Sequence, residues 1–210
     1  MSTNTVEDYG WASTEGPTSC GYVTPRVLNE LTALKVKRVL DLGSGNGTLC
    51  GHMAARGFNV CGVDYDQAGV DLGRQRHPGV RFHRFGVQDD PAELLAMEAP
   101  FDAVVSTEVI EHLYSPHLLP AFARAVLAPN GKLIITTPYH GYLKNLALAL
   151  ADKWDHHHTV LWHGGHIKFW SRKTITELLE SQGFKVQRFG GVGRVPYLWK
   201  SMVIVATRQP

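Results

Sequence analysis

Along this chain, short apolar runs alternate with stretches in which apolar residues recur at helical spacing. The runs at about Arg38–Leu42, Asn59–Val63, Arg81–Phe85, Ala103–Ser106 and Lys132–Thr136 predict strands. Helices are expected between them, near Thr48–Arg56, Gln67–Arg76 and His117–Leu127. Pro129-Asn130-Gly131 stops the last of these and turns the chain into the fifth strand. A further helix at about Lys173–Gln182 ends at Gly183, which adopts the positive φ of a helix C-terminus at no steric cost. Phe184–Phe189 and Leu198–Thr207 supply two late strands, with Gly190-Gly191-Val192-Gly193 and Pro196 between them. Near-continuous apolar strands separated by helices are the pattern of a parallel sheet covered on both faces, so the expected class is α/β, doubly wound.

Composition narrows the picture modestly. A length of 210 residues matches about one domain and is enough to bury a core without staples. Residues 1–210 are therefore read as one domain, with an N-terminal lid or helix over 1–35 and an insertion over 139–170. The formal charge of +2, with no long basic run, argues against a nucleic-acid partner. Cys20, Cys50 and Cys61 lack C-x-x-C spacing and are odd in number, which argues against a disulfide framework or zinc knuckle and implies a reducing cytosol. The polar, acidic start has no apolar segment and does not read as a signal peptide. The longest apolar candidate, Leu146 to Ala151, is far short of the roughly 20 residues of a spanning helix, so a cytoplasmic protein with at most peripheral membrane contact is expected.

The most informative string is Val39-Leu40-Asp41-Leu42-Gly43-Ser44-Gly45-Asn46-Gly47, an apolar strand running into a glycine loop. Glycines there let backbone approach a nucleotide-like ligand closely. Asp41 would repel a pyrophosphate in that loop, so a cationic ligand fits better. S-adenosylmethionine (SAM), cationic at its sulfonium and amino group, is such a ligand. The whole D-L-G-S-G-N-G string resembles motif I of class I SAM-dependent methyltransferases. That resemblance extends from about Val36 to Thr207 and implies a Rossmann-like, seven-stranded, mostly parallel sheet whose last strand is antiparallel.

Further residues fit a SAM pocket. Asp64 ends the second strand, where a carboxylate can accept both ribose hydroxyl protons, and Tyr65 follows it to pack on adenine. Gly86-Val87-Gln88-Asp89 resembles the family's adenine-recognition turn, with Val87 or Gln88 lining the base and Asp89 accepting the adenine amino group; Asp89-Asp90-Pro91 reads equally as a helix N-cap. Thr107 and Glu108 close the fourth strand at its C-terminal end, where open α/β sheets hold ligands. Gly43, Ser44, Gly45 and Gly47 complete the expected cofactor set. Tyr9, Trp11 and Tyr22 are candidates for a lid, with simple packing against the sheet as the plain alternative.

The second distinctive string is Glu108-Val109-Ile110-Glu111-His112-Leu113. If it is helical from Glu108, both carboxylates and the imidazole share one face, a set suited to a hard divalent cation. Without a metal, His112 acts as general base with Glu111 orienting it. Six of the eleven histidines are His140, His156, His157, His158, His163 and His166, and for the triplet a solvated loop remains an equal reading. His166 precedes Lys168-Phe169. There the chain resembles two metal-dependent groups, the ubiquinone-pathway O-methyltransferases and the small-RNA terminal 2′-O-methyltransferases. That resemblance implies Glu108, Glu111, His112 and His166 as ligands of Mg²⁺, with Zn²⁺ or Mn²⁺ as alternatives.

The apolar stretch from Leu143 to Trp154, with Tyr139, Tyr142 and Trp162 near it, reads as a cover for an acceptor pocket, a rest on a membrane surface, or a core helix. A small aromatic or apolar hydroxyl acceptor suits this segment and the near-neutral charge. The N-terminal region typical of the ubiquinone enzymes is not found. The alternatives are an RNA 2′-O-methyltransferase, disfavoured by the absence of a basic stripe, and a non-catalytic SAM-binding regulatory protein. An NAD-dependent oxidoreductase is disfavoured by Asp41 and by G-x-G-x-G in place of G-x-G-x-x-G.

Overall fold

The computed structural model describes residues 11, 13, 15–158, 161 and 164–210; Tyr9, Trp162, His163 and the side chain of His156 lie outside the described residues. Seven strands form one sheet: β1 (Arg38–Leu42), β2 (Asn59–Asp64), β3 (Arg81–Arg84), β4 (Phe101–Thr107), β5 (Leu127–Pro138), β6 (Phe184–Val192) and β7 (Ser201–Arg208). Their order is β3-β2-β1-β4-β5-β7-β6. The first five pair in parallel, and β7 runs antiparallel to both β5 and β6. This is the Rossmann-like methyltransferase topology that the motifs imply. The described helices are α1 (Cys20–Leu34), α2 (Thr48–Ala55), α3 (Gln67–Arg76), α4 (Pro91–Met97), α5 (Leu118–Val126), α6 (Tyr142–Leu150), α7 (Trp154–His158) and α8 (Arg172–Ser181).

Strand periodicity divides the interior into two layers. Leu40, Val104, Leu133 and Ile204 point to one face and pack with Leu94 of α4, Leu119 and Phe122 of α5, and Ile175 and Leu179 of α8. Val39, Ala103, Ile134 and Val205 point to the other, against Val27 and Leu31 of α1, Met53 of α2 and Val70 of α3. Each fully buried Val, Leu, Ile, Phe or Met among them contributes on the order of 1.5–3 kcal/mol. Both faces are thereby covered. The ligand-binding possibilities are left at the strand ends, where the chain leaving the adjacent strands β1 and β4 runs in opposite directions along the sheet, to β2 and to β5.

Helix starts follow local chemistry. Asp66 accepts from Ala68 N at 2.8 Å to begin α3, and Asp90 accepts from Ala92 N at 2.9 Å, with Pro91 at the first position of α4. The helix body of α4 is absent from the periodicity reading because it is short and buries only Leu94. Gly183 follows α8 with φ 78°, as expected of a helix terminus. Strand β5 begins earlier than expected: Leu127 already pairs with Phe101, and Asn130, at φ 60°, turns the chain before the straight run from Lys132. The helix expected from Glu108 is not formed. Glu108 has φ 53° and donates its N–H to the Thr136 carbonyl at 3.0 Å, prolonging the β4 edge, and only Ile110–His112 make a single 3₁₀ turn.

Candidate active site

The glycine loop after β1 is shaped by positive φ. Gly45 (φ 50°) and Gly47 (φ 75°) occupy the left-handed region, and a Cβ on Gly45 would come within 2.3 Å of the Trp11 ring. Gly43 and Ser44 donate their N–H groups to Val63 O, which fixes the loop on β2. Asn46 Nδ2 donates to Ser13 O at 3.0 Å and Glu15 O at 2.9 Å, tying the N-terminal segment across the loop.

Beside this loop opens a cleft of about 1150 Å³. Asp41, Gly43, Ser44, Gly45, Asp64, Tyr65, Gln88 and Thr107 line it, together with Trp11 and Tyr22. Two expected cofactor residues do not. Gly47 is the N-cap of α2 and packs on Phe82, and the exposed Asp89 uses its carboxylate to accept Gly86 N at 2.7 Å, closing the turn after β3.

Both acidic residues of the cleft are buried. Asp41 Oδ2 accepts the Cys50 thiol at 3.2 Å, while its Oδ1 has no partner; burial, with the Asp64 charge adding to it, pushes its pKa to about 7. Asp64 accepts Gly45 N at 2.7 Å on one oxygen and Asp66 N at 2.9 Å on the other, and burial raises it to about 6 despite those bonds. Each oxygen keeps a second lone pair. A buried orphan carboxylate oxygen costs free energy unless a cationic donor meets it, so the pair fits a ligand with an ammonium group and vicinal hydroxyls.

Glu111, His112 and His166 converge, each offering a ligand atom within 4.8 Å of the others. The backbone explains how residues so distant meet: Glu111 O accepts both Ile167 N (2.9 Å) and Lys168 N (3.0 Å). His112 Nδ1 lies 2.6 Å from Gly164 O, and a carbonyl only accepts, so Nδ1 carries the proton and Nε2 a lone pair. That Nε2 is 4.0 Å from Glu111 Oε1. Glu111 Oε2 accepts Thr137 Oγ1 at 2.9 Å, and Oε1, fully buried, has no partner. Burial and the neighbouring Glu108 raise the Glu111 pKa strongly; burial lowers that of His112 and takes His166 to about 4. Two neutral imidazoles and one under-coordinated carboxylate form a donor set that suits a divalent cation.

Glu108, although near enough to act on Glu111 by its charge, is not one of the three converging groups, contrary to the shared helical face. Its two oxygens accept Thr136 Oγ1 at 2.8 Å and Ser201 Oγ at 3.0 Å, because its left-handed backbone aims it at β5 and β7; burial pushes it to about 7. It lines the cleft with His112 and His166. Thr137 and Ser201, which orient the two glutamates, had no local sequence signal, since they are 26 and 93 residues away from them. His140 stacks on His158 at 5.6 Å and His157 lines the cleft, so these histidines are not a solvated run. A second group, Cys61, His83 and Glu98, is unsuited to a cation because Arg38 and Arg81 already occupy the Glu98 carboxylate.

A family model described as "Methyltransferase domain" matches residues 21–188. A ubiquinone biosynthesis O-methyltransferase of Coxiella burnetii (strain Dugway 5J108-111) is 27% identical over 167 residues, 75% of this chain and 71% of the relative. One from Caulobacter sp. (strain K31) is 35% identical over 123 residues, 58% of this chain and 48% of the relative, so the match spans about half that protein's length. Among solved structures, the magnesium protoporphyrin IX methyltransferase of Synechocystis PCC 6803 with bound S-adenosylhomocysteine (SAH) aligns with TM-score 0.66 and 18% identity, covering 89% of this chain and 82% of that one.

Proposed function

The chain belongs to the class I SAM-dependent methyltransferases, and from that premise we propose that it methylates a hydroxyl oxygen of a small aromatic or apolar acceptor. The observation that carries this reading is the convergence of Glu111, His112 and His166, the two imidazoles lining the cleft and Glu111 buried behind them with its Oε1 without a partner. A hydroxyl acceptor needs its proton removed or its oxygen polarised, and these three groups supply that chemistry.

SAM, when bound, supplies the methyl group. Asp41 Oδ1 is assigned to its amino group and Asp64 to its ribose hydroxyls, with Gly43, Ser44 and Gly45 as the close-approach wall and Tyr65, Gln88 and Thr107 beside the nucleoside. Trp11 and Tyr22 are assigned to the lid. A divalent metal, held by Glu111, His112 and His166, would lower the pKa of the acceptor hydroxyl. His112 Nε2, whose lone pair is set by the Gly164 bond, is the atom placed to take that proton where no metal intervenes. Burial excludes water from Glu111, which keeps these electrostatic interactions strong.

Incubation with SAM and simple catechols or phenols, with and without a chelator, tests the reading by mass spectrometry of SAH and methylated product. Turnover that disappears on chelation and returns with Mg²⁺ supports it. Full turnover in chelator refutes the metal and leaves His112 as base, and methylation of nitrogen or carbon acceptors alone refutes the hydroxyl.

The Asp41 pKa of about 7 gives the cofactor affinity a pH dependence. The ionised form attracts the ligand's ammonium, so SAH affinity rises as pH increases through that value, and roughly fivefold to tenfold weaker binding is expected at pH 6 than at pH 7.5. Calorimetry at both pH values checks it, and Asp41→Asn should flatten the difference. The sign for folding is opposite. A carboxyl whose folded pKa is raised favours the fold most below its unfolded pKa, so the ligand-free protein loses stability as pH rises from about 4 to 7.

Residues 139–170 are assigned to acceptor selection. Support comes from Lys144, Leu148 and His157, which line the cleft from this segment, and from Tyr142, Leu143 and Leu150, which leave an exposed apolar face on α6 suited to an apolar acceptor or the membrane surface presenting it. Among the described residues no helix is long and apolar enough to cross a membrane. Shortening the Leu143–Trp154 stretch should abolish turnover or change the acceptor range while SAH affinity stays within about threefold, roughly 0.7 kcal/mol. A shortened protein that stays folded yet loses SAH would assign the segment to the cofactor instead.

A further inference from the structure

The wall of the cleft farthest from Asp41 and Asp64 in character is cationic. Lys144, Lys153, Arg194 and Lys200 all line it, from α6, the chain after it and the loop between β6 and β7. Lys144 is the unusual member, a buried lysine only 5% exposed. A buried ammonium is costly unless it is paired with an anion or amply hydrogen-bonded. Its Nζ donates to a single protein acceptor, Lys200 O, at 3.3 Å, leaving two of three N–H donors for the cleft. Among the described residues no carboxylate lies within ion-pair distance of Lys144 or Arg194.

Charge balance sharpens the point. Burial, with Arg194 as the largest nearby charge, takes Lys144 down to about 8, so it is still protonated at neutral pH, and the attraction of Glu108 is the smaller influence. Glu108 itself is turned to the hydroxyls of Thr136 and Ser201. His157, near pKa 4, is neutral and adds no charge. Lysine and arginine thus face the cleft with at most one partly ionised carboxyl between them. That excess of positive charge matches an anionic group on the acceptor, and the planar fork of an arginine beside a lysine suits a carboxylate.

Resting on the hydroxyl-acceptor reading above, we propose that the acceptor is a hydroxylated aromatic acid whose carboxylate is held by Lys144 and Arg194. Neither side chain then acts on the reacting oxygen. They select and orient the acceptor, the lysine from within and the arginine from the cleft mouth.

The test compares 3,4-dihydroxybenzoate with 3,4-dihydroxybenzamide, nearly the same shape without the charge. The expected kcat/KM ratio is at least about tenfold in favour of the acid, falling to within about threefold in Lys144→Met and partly in Arg194→Gln. A wild-type ratio near one, or a ratio unchanged in the variants, overturns the proposal. If Lys144→Met does not fold, Arg194→Gln decides, because Arg194 is exposed on its loop. If neither compound is methylated, the hydroxyl reading fails by itself, and calorimetry on the SAH-saturated protein still judges the anion site. Acid bound at least tenfold more tightly than amide, with the preference lost in the variants, sustains it; equal binding of the two overturns it.

Discussion

Glu111→Gln is expected to lower kcat/KM for methyl transfer by on the order of 10²–10⁴, the range spanned by a positioned acid–base group, while SAH affinity changes less than about threefold. The substitution is isosteric and removes charge where Oε1 faces His112 at 4.0 Å without any other partner. Its effect on stability should have the opposite sign. Burial raises the Glu111 pKa strongly, so the carboxylate is an unfavourable group in the folded protein, and a neutral amide relieves that cost while still accepting from Thr137. Activity should therefore fall while the melting temperature stays or rises. Glu108→Gln provides the contrast: both its oxygens already accept hydroxyl hydrogens, so a smaller loss is expected there. A Glu111→Gln enzyme of full activity would end the assignment of the cluster to catalysis.

Asp64→Ala is expected to weaken SAH by roughly 10- to 150-fold, the equivalent of about 1.5–3 kcal/mol for a charge-assisted contact. Asp64 acts in two ways. Its carboxylate is assigned to the ribose, and it also holds Gly45 N and Asp66 N, so the alanine loosens the glycine loop as well as removing an acceptor. Asp64→Asn keeps one carbonyl oxygen and should lose less. Calorimetry on both, with circular dichroism to confirm folding, separates the contributions. Unchanged SAH affinity in Asp64→Ala would remove the ribose assignment altogether.

The sequence by itself determined the periodic features: the five parallel strands and two late strands, the glycine loop with Asp41 before it, and the helix terminus at Gly183. These are local, because alternation along a strand and positive φ at glycine are read within a few residues. The same locality made α4 hard to see and misplaced Glu108. Its identity suggested one face of a helix, yet pairing of its N–H with Thr136 across the sheet drew the residue into the strand edge, and Ser201 from β7 took the carboxylate. The motif resemblance implied that His166 joins Glu111 and His112, and tertiary structure supplies the physical means, two backbone bonds to Glu111 O that bridge more than fifty residues of chain. Tertiary structure alone decided that Lys144 is buried in the cleft, where Lys200 O, just before β7, accepts from it. A helical lysine carries no signal of its own burial, since that depends on which distant element covers it and on where the nearest carboxylate falls.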